Sequence, residues 1–195
     1  MSDFDIYTSE SDLSQLKDLI KQCGERLVIR RGECFLRAGE IGGKIAYIEQ
    51  GGFKCVRKDS RGNERIFAFM FEDELIADYI PYRNKKPVLL DIQAIEDGVI
   101  YYTPIENLRS FFETEIDGDI YVRKFVETIA YQHQQRIVSV VCETPEERYI
   151  QLQKRVPDIF YRVNLKDIAA YIGVRPETLS RMRTSFLRKD STENT

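Results

Sequence analysis

The chain has 195 residues, 43% of them hydrophobic, with 32 acidic against 29 basic residues and a formal net charge of -3. That is enough apolar material for one large packed domain or two small ones. No run approaches the roughly 18 uninterrupted apolar residues of a membrane helix, and the opening MSDFDIYTSESD is acidic where a signal peptide is basic and then apolar, which excludes a membrane partner and points to the cytoplasm.

From about residue 28 to residue 103 the pattern is short and strand-like. The stretch LVIRRGECFLRAGEIGGKIAYIEQGGFKCVRKDSRGNERIFAFMF alternates apolar and polar residues and is broken at Gly32, Gly39, Gly42, Gly43, Gly51, Gly52 and Gly62, the punctuation of antiparallel hairpins. KDSRGNERI predicts a hairpin tip, because Gly62 and Asn63 tolerate positive φ, and the residues from Val99 to Tyr102 predict a closing strand. A sandwich or small barrel follows. Cys23, Cys34, Cys55 and Cys142 lack any CxxC spacing and read as buried free thiols, not as metal ligands.

From about Ile105 the period becomes helical. Val122, Val126, Ile129, His133, Ile137 and Val140 recur three and four residues apart over positions 119–143, a heptad-like seam. One helix of that length, near 37 Å at about 1.5 Å per residue, exceeds what a small domain needs to cover its own core. The seam predicts pairing with a second copy of the chain; the alternative is packing on its own sandwich alone. His133 is the only histidine. CETPEERYIQL then marks a break and restart, with Thr144 as cap, Pro145 at the first helical position and Glu147 closing a capping box.

Within the last unit, NLKDIAAYIGVRPETLSRMRTSF predicts a helix-turn-helix. Asn164 caps a short helix with Ile168, Ala169 and Ile172 inward, Gly173 supplies a left-handed turn, and a second helix opens at Pro176, anchored by Val174, Leu179 and Met182 or Phe186. Arg175, Glu177, Thr178, Ser180, Arg181 and Arg183 stay outward on its N-terminal half, the portion that enters a major groove in this motif. Arginine can bond guanine in bidentate fashion, glutamate can accept from cytosine, and serine or threonine can hold a phosphate or a base edge. Charge agrees: residues 144–195 hold ten basic and seven acidic residues, leaving 19 basic (29 less 10) and 25 acidic (32 less 7) before them. An acidic front and a basic back fit a polyanionic partner for the back.

Sandwich, long helix and C-terminal helix-turn-helix, in that order, resemble the Crp/Fnr family of bacterial transcription regulators. ETLSR is similar to the family's recognition-helix core, which carries base reading onto Glu177, Ser180 and Arg181 and phosphate contact onto Thr178. GECFLRAGE and YIEQGGFK resemble its glycine-rich β-roll opening. The resemblance implies an α+β protein with an N-terminal cyclic-nucleotide-binding-like β-roll (a double-stranded β-helix) over residues 1–116 for effector sensing. A long dimerisation helix over 117–143 and a winged-helix-like DNA-binding helix-turn-helix over 144–195 complete it. Few residues follow Phe186, so the wing is short or absent, with Arg188 and Lys189 as backbone contacts. The partners implied are double-stranded DNA, a second copy, RNA polymerase and a small-molecule effector in the roll.

The family's nucleotide pocket has a Gly-Glu pair and then an Arg-Ser pair, the arginine neutralising the phosphate. Here Ala77 and Asp78 stand at the first position, and the second falls near Val88 and Leu89. An apolar pair cannot neutralise a phosphate, so the implied effector is not a cyclic nucleotide. Arg83, Lys85 and Lys86 in YRNKKP offer a different anion site beside Ala77 and Asp78, against the favoured alternative of an ordinary solvated loop. Two other readings compete: a β-roll DNA-binding protein with no effector that acts through RNA polymerase, and, more remotely, a cupin-like metal enzyme. Such metal sites need two or more histidines beside a carboxylate; with a single histidine no catalytic residue, metal ligand or cofactor is assigned.

Overall fold

The structure, a computed structural model, describes residues 10–108 and 118–193. Helix α1 (Glu10–Cys23) is followed by β1 (Glu25–Ile29), β2 (Cys34–Leu36), β3 (Lys44–Gln50), β4 (Phe53–Lys58), β5 (Glu64–Met70) and β6 (Leu75–Ala77). A short α2 (Tyr79–Arg83), β7 (Asp91–Ala94), β8 (Gly98–Pro104) and a 3-10 turn (Ile105–Leu108) close this part. The helical part is α3 (Gly118–Cys142), α4 (Pro145–Arg155), α5 (Ile159–Arg162), α6 (Leu165–Ile172) and α7 (Pro176–Glu193).

The eight strands form two four-stranded antiparallel sheets, ordered β1-β8-β3-β6 and β2-β7-β4-β5. The expected β-roll is therefore present. Phe35, Leu36, Ile48, Phe53, Ile76, Val88, Ile92 and Ile100 fill the space between the sheets. The chain closes tightly at one corner, where a Cβ on Gly51 would stand 2.9 Å from the Cα of Gly98 and one on Gly98 would stand 2.5 Å from the carbonyl oxygen of Gln50. The hairpin tip forms as its sequence predicts. Asp59 Oδ1 accepts from the backbone N–H groups of Arg61 and Asn63, and Gly62 takes φ +79°.

The hairpin β4–β5 has two occupied faces. Phe53 and Met70 pair in register and belong to the roll interior, as does Cys55. Val56 and Ile66 also pair, and with Phe69 they lie in a second core shared with Tyr149, Leu152, Ile159, Ile168, Ile172 and Leu179. The helix-turn-helix unit is thus seated on the outer face of the roll. A third cluster joins Leu16 and Ile20 of α1 to Tyr47, Leu108 and Phe125. Helix α1 has the required spacing, Leu13, Leu16, Leu19 and Ile20, upstream of the region where the strand pattern begins.

The expectation of four buried thiols needs correction. Cys23 and Cys142 are exposed, because each ends its helix at the surface, and Cys34 is partly covered. Only Cys55 faces the roll interior, and burial there pushes its thiol up to about 12.

Candidate nucleic-acid interface

Thr144 starts the C-terminal unit with the expected capping box: its Oγ1 accepts from Glu147 N–H at 3.2 Å, and its own N–H donates to Glu147 Oε2 at 2.7 Å. Asn164 Oδ1 caps α6 by accepting from Asp167 N–H at 2.8 Å. Gly173 ends that helix in the left-handed region, at φ +86° and ψ +29°, and α7 opens at Pro176. Ile168, Ala169, Ile172 and Leu179 are each 0% exposed, and Met182 is 8% exposed. Both Met182 and Phe186 anchor α7, the latter by stacking on Tyr149 with ring centroids 5.0 Å apart.

That clamp decides what faces out. Glu177, Ser180 and Arg181 are exposed along one side of α7, with Arg175 exposed just before the helix. Thr178 is half-buried on a flank. Arg183 is exposed, but its guanidinium lies 4.6 Å over the Phe160 ring, a cation–π contact that draws it toward the flank. Thr184, which the sequence reading did not single out, falls on the same side, one helical turn after Ser180, and donates to the Ser180 carbonyl at 3.1 Å. The side chains of Arg188 and Lys189 lie outside the described residues.

Helix α3 carries two separate faces. Phe125 and Ile129 pack against the cluster of α1 and the roll, so Ile129 serves its own chain instead of the exposed seam. Arg136 continues this inward face, donating to the carbonyl of Tyr171 at 2.6 Å with its guanidinium 3.9 Å from the Tyr171 ring. About a quarter turn around the helix, Val126 is half-buried, His133 is exposed, and Ile137, Val140 and Val141 are 64%, 54% and 74% exposed. The side chain of Val122 lies outside the described residues. The exposed part of the seam is therefore His133, Ile137, Val140 and Val141, with the half-buried Val126 at its start.

In the roll, Ala77 is half-buried beside α1, and Arg83, Lys85 and Lys86 are exposed at and after the end of α2. They are not drawn together with Asp78. Asp78 precedes α2 without capping it, and its Oδ2 is buried with no hydrogen-bond partner. Burial raises its carboxyl pKa above the ordinary value. Gly42, Asp78 and Val88 meet closely: a Cβ on Gly42 would lie 3.1 Å from both Asp78 Oδ2 and Val88 Cγ2. The corner thus presents a carboxyl and a valine that is 4% exposed, neither of which neutralises a phosphate. Among the described residues no cluster of three or more His, Cys, Asp or Glu could hold a metal ion, and no helix is long and apolar enough to cross a membrane.

Residues 26–115 match the family model of the cyclic nucleotide-binding domain. The whole arrangement of roll, long helix and helix-turn-helix is similar to FixK2 from Bradyrhizobium japonicum, at 15% identity over 86% of each chain and a TM-score of 0.71. The fold is that of the Crp/Fnr regulators. A transcriptional regulator of the Crp/Fnr family from Eubacterium rectale matches at 14% identity, covering 90% of this chain and 84% of that one, with a TM-score of 0.66. The c-di-GMP responsive global regulator CLP of Xanthomonas campestris matches at 12% identity, covering 91% of this chain and 92% of that one, with a TM-score of 0.64. No curated protein matches the sequence. Among the described residues no strand follows α7.

Proposed function

We propose that this protein is a DNA-binding transcription regulator of the Crp/Fnr type, not an enzyme, working in the cytoplasm as a homodimer on a near-palindromic operator. The observation that carries this reading is the joint exposure of Glu177, Ser180 and Arg181 on a helix whose other side is clamped by Leu179 and Met182. Those three side chains offer an acceptor, a small hydroxyl and a two-pronged donor to base edges in a major groove. Thr178 and Arg175 flank them as phosphate contacts. The exposed seam of His133, Ile137, Val140 and Val141, with Val126 at its start, supports pairing of two α3 helices. A two-fold dimer would then set two copies of α7 about 34 Å apart, one turn of duplex. RNA polymerase is a further partner in this reading.

Enrichment of the protein on random duplexes tests this. The expected outcome is a two-fold sequence with half-sites about 10 base pairs apart, bound with strong salt dependence. Binding without sequence preference would end the reading.

A second reading, in which the roll holds no small molecule, is favoured by the aromatic and aliphatic filling between the sheets, Phe35, Phe53, Val88 and Ile92. A thermal-shift screen separates the two: one compound that raises the Tm in proportion to the logarithm of its concentration supports an effector.

A further inference from the structure

We propose that Lys54 and Asp167 are a positioning pair that fixes the angle of the helix-turn-helix unit against the roll, and so sets the spacing between half-sites that the dimer accepts. This rests on the DNA-binding reading above. Only two residues, Glu143 and Thr144, separate α3 from α4, a single pivot about which the C-terminal unit could rock. Rocking is opposed by bonds to α3, from Arg136 to the Tyr171 carbonyl and from Arg148 to the Ser139 and Glu143 carbonyls, and by contact with the roll. That contact is apolar on β4–β5, where burial is non-directional, and is edged by Arg155 on the Phe69 carbonyl and Arg162 on Glu72 and Glu96, arginines of α4 and α5.

Lys54 differs. It projects from β4 to the outer face, where its Nζ lies 2.9 Å from Asp167 Oδ2 and 3.1 Å from Glu64 Oε2. The Lys54 and Asp167 side chains are each only 8% exposed. Asp167 is in turn fixed to the start of α6, since its Oδ2 also accepts from Asn164 Nδ2 at 3.0 Å. The roll is therefore bonded to the first turn of the first helix of the DNA-reading motif.

A buried ion pair contributes little net stability compared with apolar residues of the same shape, but it demands one geometry. A shift that leaves the apolar contacts intact takes the bond beyond hydrogen-bond reach once the groups separate by less than about 1 Å. In a two-fold dimer, moving each unit by about 1.7 Å changes the separation of the recognition helices by one base-pair rise of about 3.4 Å. The pair is thus stiff on the scale that distinguishes neighbouring spacings.

The test uses the full chain and a ladder of operators whose half-sites are one base pair closer or further apart. Unmodified protein is expected to favour one spacing by about tenfold or more. The double variant Lys54→Met/Asp167→Leu, which leaves neither pair member charged, is expected to keep its base preference within each half-site yet bind adjacent spacings within about threefold. Lys54→Arg, which keeps the charge and the donors, is expected to keep the sharp spacing. Hydrogen exchange without DNA is the second measurement: the backbone N–H groups of Glu143 and Arg148 should exchange about tenfold faster in the double variant at equal Tm. Unchanged spacing preference with unchanged exchange would overturn the proposal, as would loss of base preference in parallel with spacing. If the unmodified protein reads no sequence at all, the regulator reading fails, and hydrogen exchange alone decides whether the pair holds the joint.

Discussion

Arg162 and Glu72 meet fork to fork across the joint between the helical unit and the roll, with Nη1 2.9 Å from Oε2 and Nη2 2.7 Å from Oε1. The same guanidinium donates to Glu96 and lies 4.5 Å over the Phe71 ring. Burial acts to raise the Glu72 carboxyl, but the Arg162 guanidinium and the Gly51 N–H outweigh it and hold its pKa below the ordinary value. A depressed folded-state pKa stabilises above the unfolded pKa and loses that contribution as pH falls through the folded value.

Arg162→Lys, which cannot make the fork, should therefore cost about 1 kcal/mol at neutral pH, an allowance made for Glu72 being 38% exposed. In urea titrations at a series of pH values the difference from the parent should shrink below about pH 4, the ordinary carboxylate range. A pH-independent difference would show that the lost packing on Phe71 matters and the fork does not.

Two neighbouring arginines should behave differently on DNA. Arg181→Ala should cost about 1 to 3 kcal/mol and relax preference at one base pair. Arg183→Ala should weaken all sequences alike, because stacking on Phe160 turns its guanidinium to the flank, where phosphates pass. Affinities for a set of singly substituted operators measure both.

On α3, Ile137→Asp and Val141→Asp should yield monomers in sedimentation, since these residues are 64% and 74% exposed in the single chain and touch nothing of its own core. Ile129→Asp should instead lower the stability of the single chain by about 2 kcal/mol or more, because Ile129 packs against the roll and α1. A dimer that survives both exposed substitutions would move the partner contact elsewhere.

Asp78→Asn should stabilise the roll. The raised carboxyl pKa means that the folded protein pays at neutral pH for an ionised group whose Oδ2 has no partner. The gain should be on the order of 1 kcal/mol. It should vanish as pH falls below the unfolded carboxylate pKa, where both states are protonated. Cyclic AMP and cyclic GMP should leave the Tm of the parent unchanged, and a rise with either would refute the misfit at Asp78 and Val88.

Local chemistry made the C-terminal motif legible. Asn164 caps with its side chain, Gly173 takes the left-handed backbone that other residues avoid, and Pro176 has its φ preset for a first helical turn, and all three stand where α6 and α7 start or stop. The hairpin tip at Gly62 was legible for the same reason. What stayed hidden depends on which faces meet across long sequence separations. The run Ile66 to Phe71, IFAFMF, is apolar without interruption, and such a run signals a strand buried on both sides, yet nothing local says that the second side is covered by Tyr149 and Ile168. Lys54 reads as an ordinary surface lysine until Asp167, 113 residues away, is brought against it. A three- and four-residue spacing along α3 likewise cannot divide Ile129 from Ile137, because one turn of helix offers both a face for its own chain and a face for another.

The two-sided hairpin also limits how this protein can be recombined. Its C-terminal helical half has no complete interior of its own: Tyr149, Ile159 and Ile168 are covered in part by Val56, Ile66 and Phe69 of the roll. Grafted behind a different roll, the same 52 residues from 144 to 195 would expose that apolar surface to water and clump or melt. A working chimera must carry β4 and β5 along with the helices, so the exchangeable module of this molecule is discontinuous in the chain.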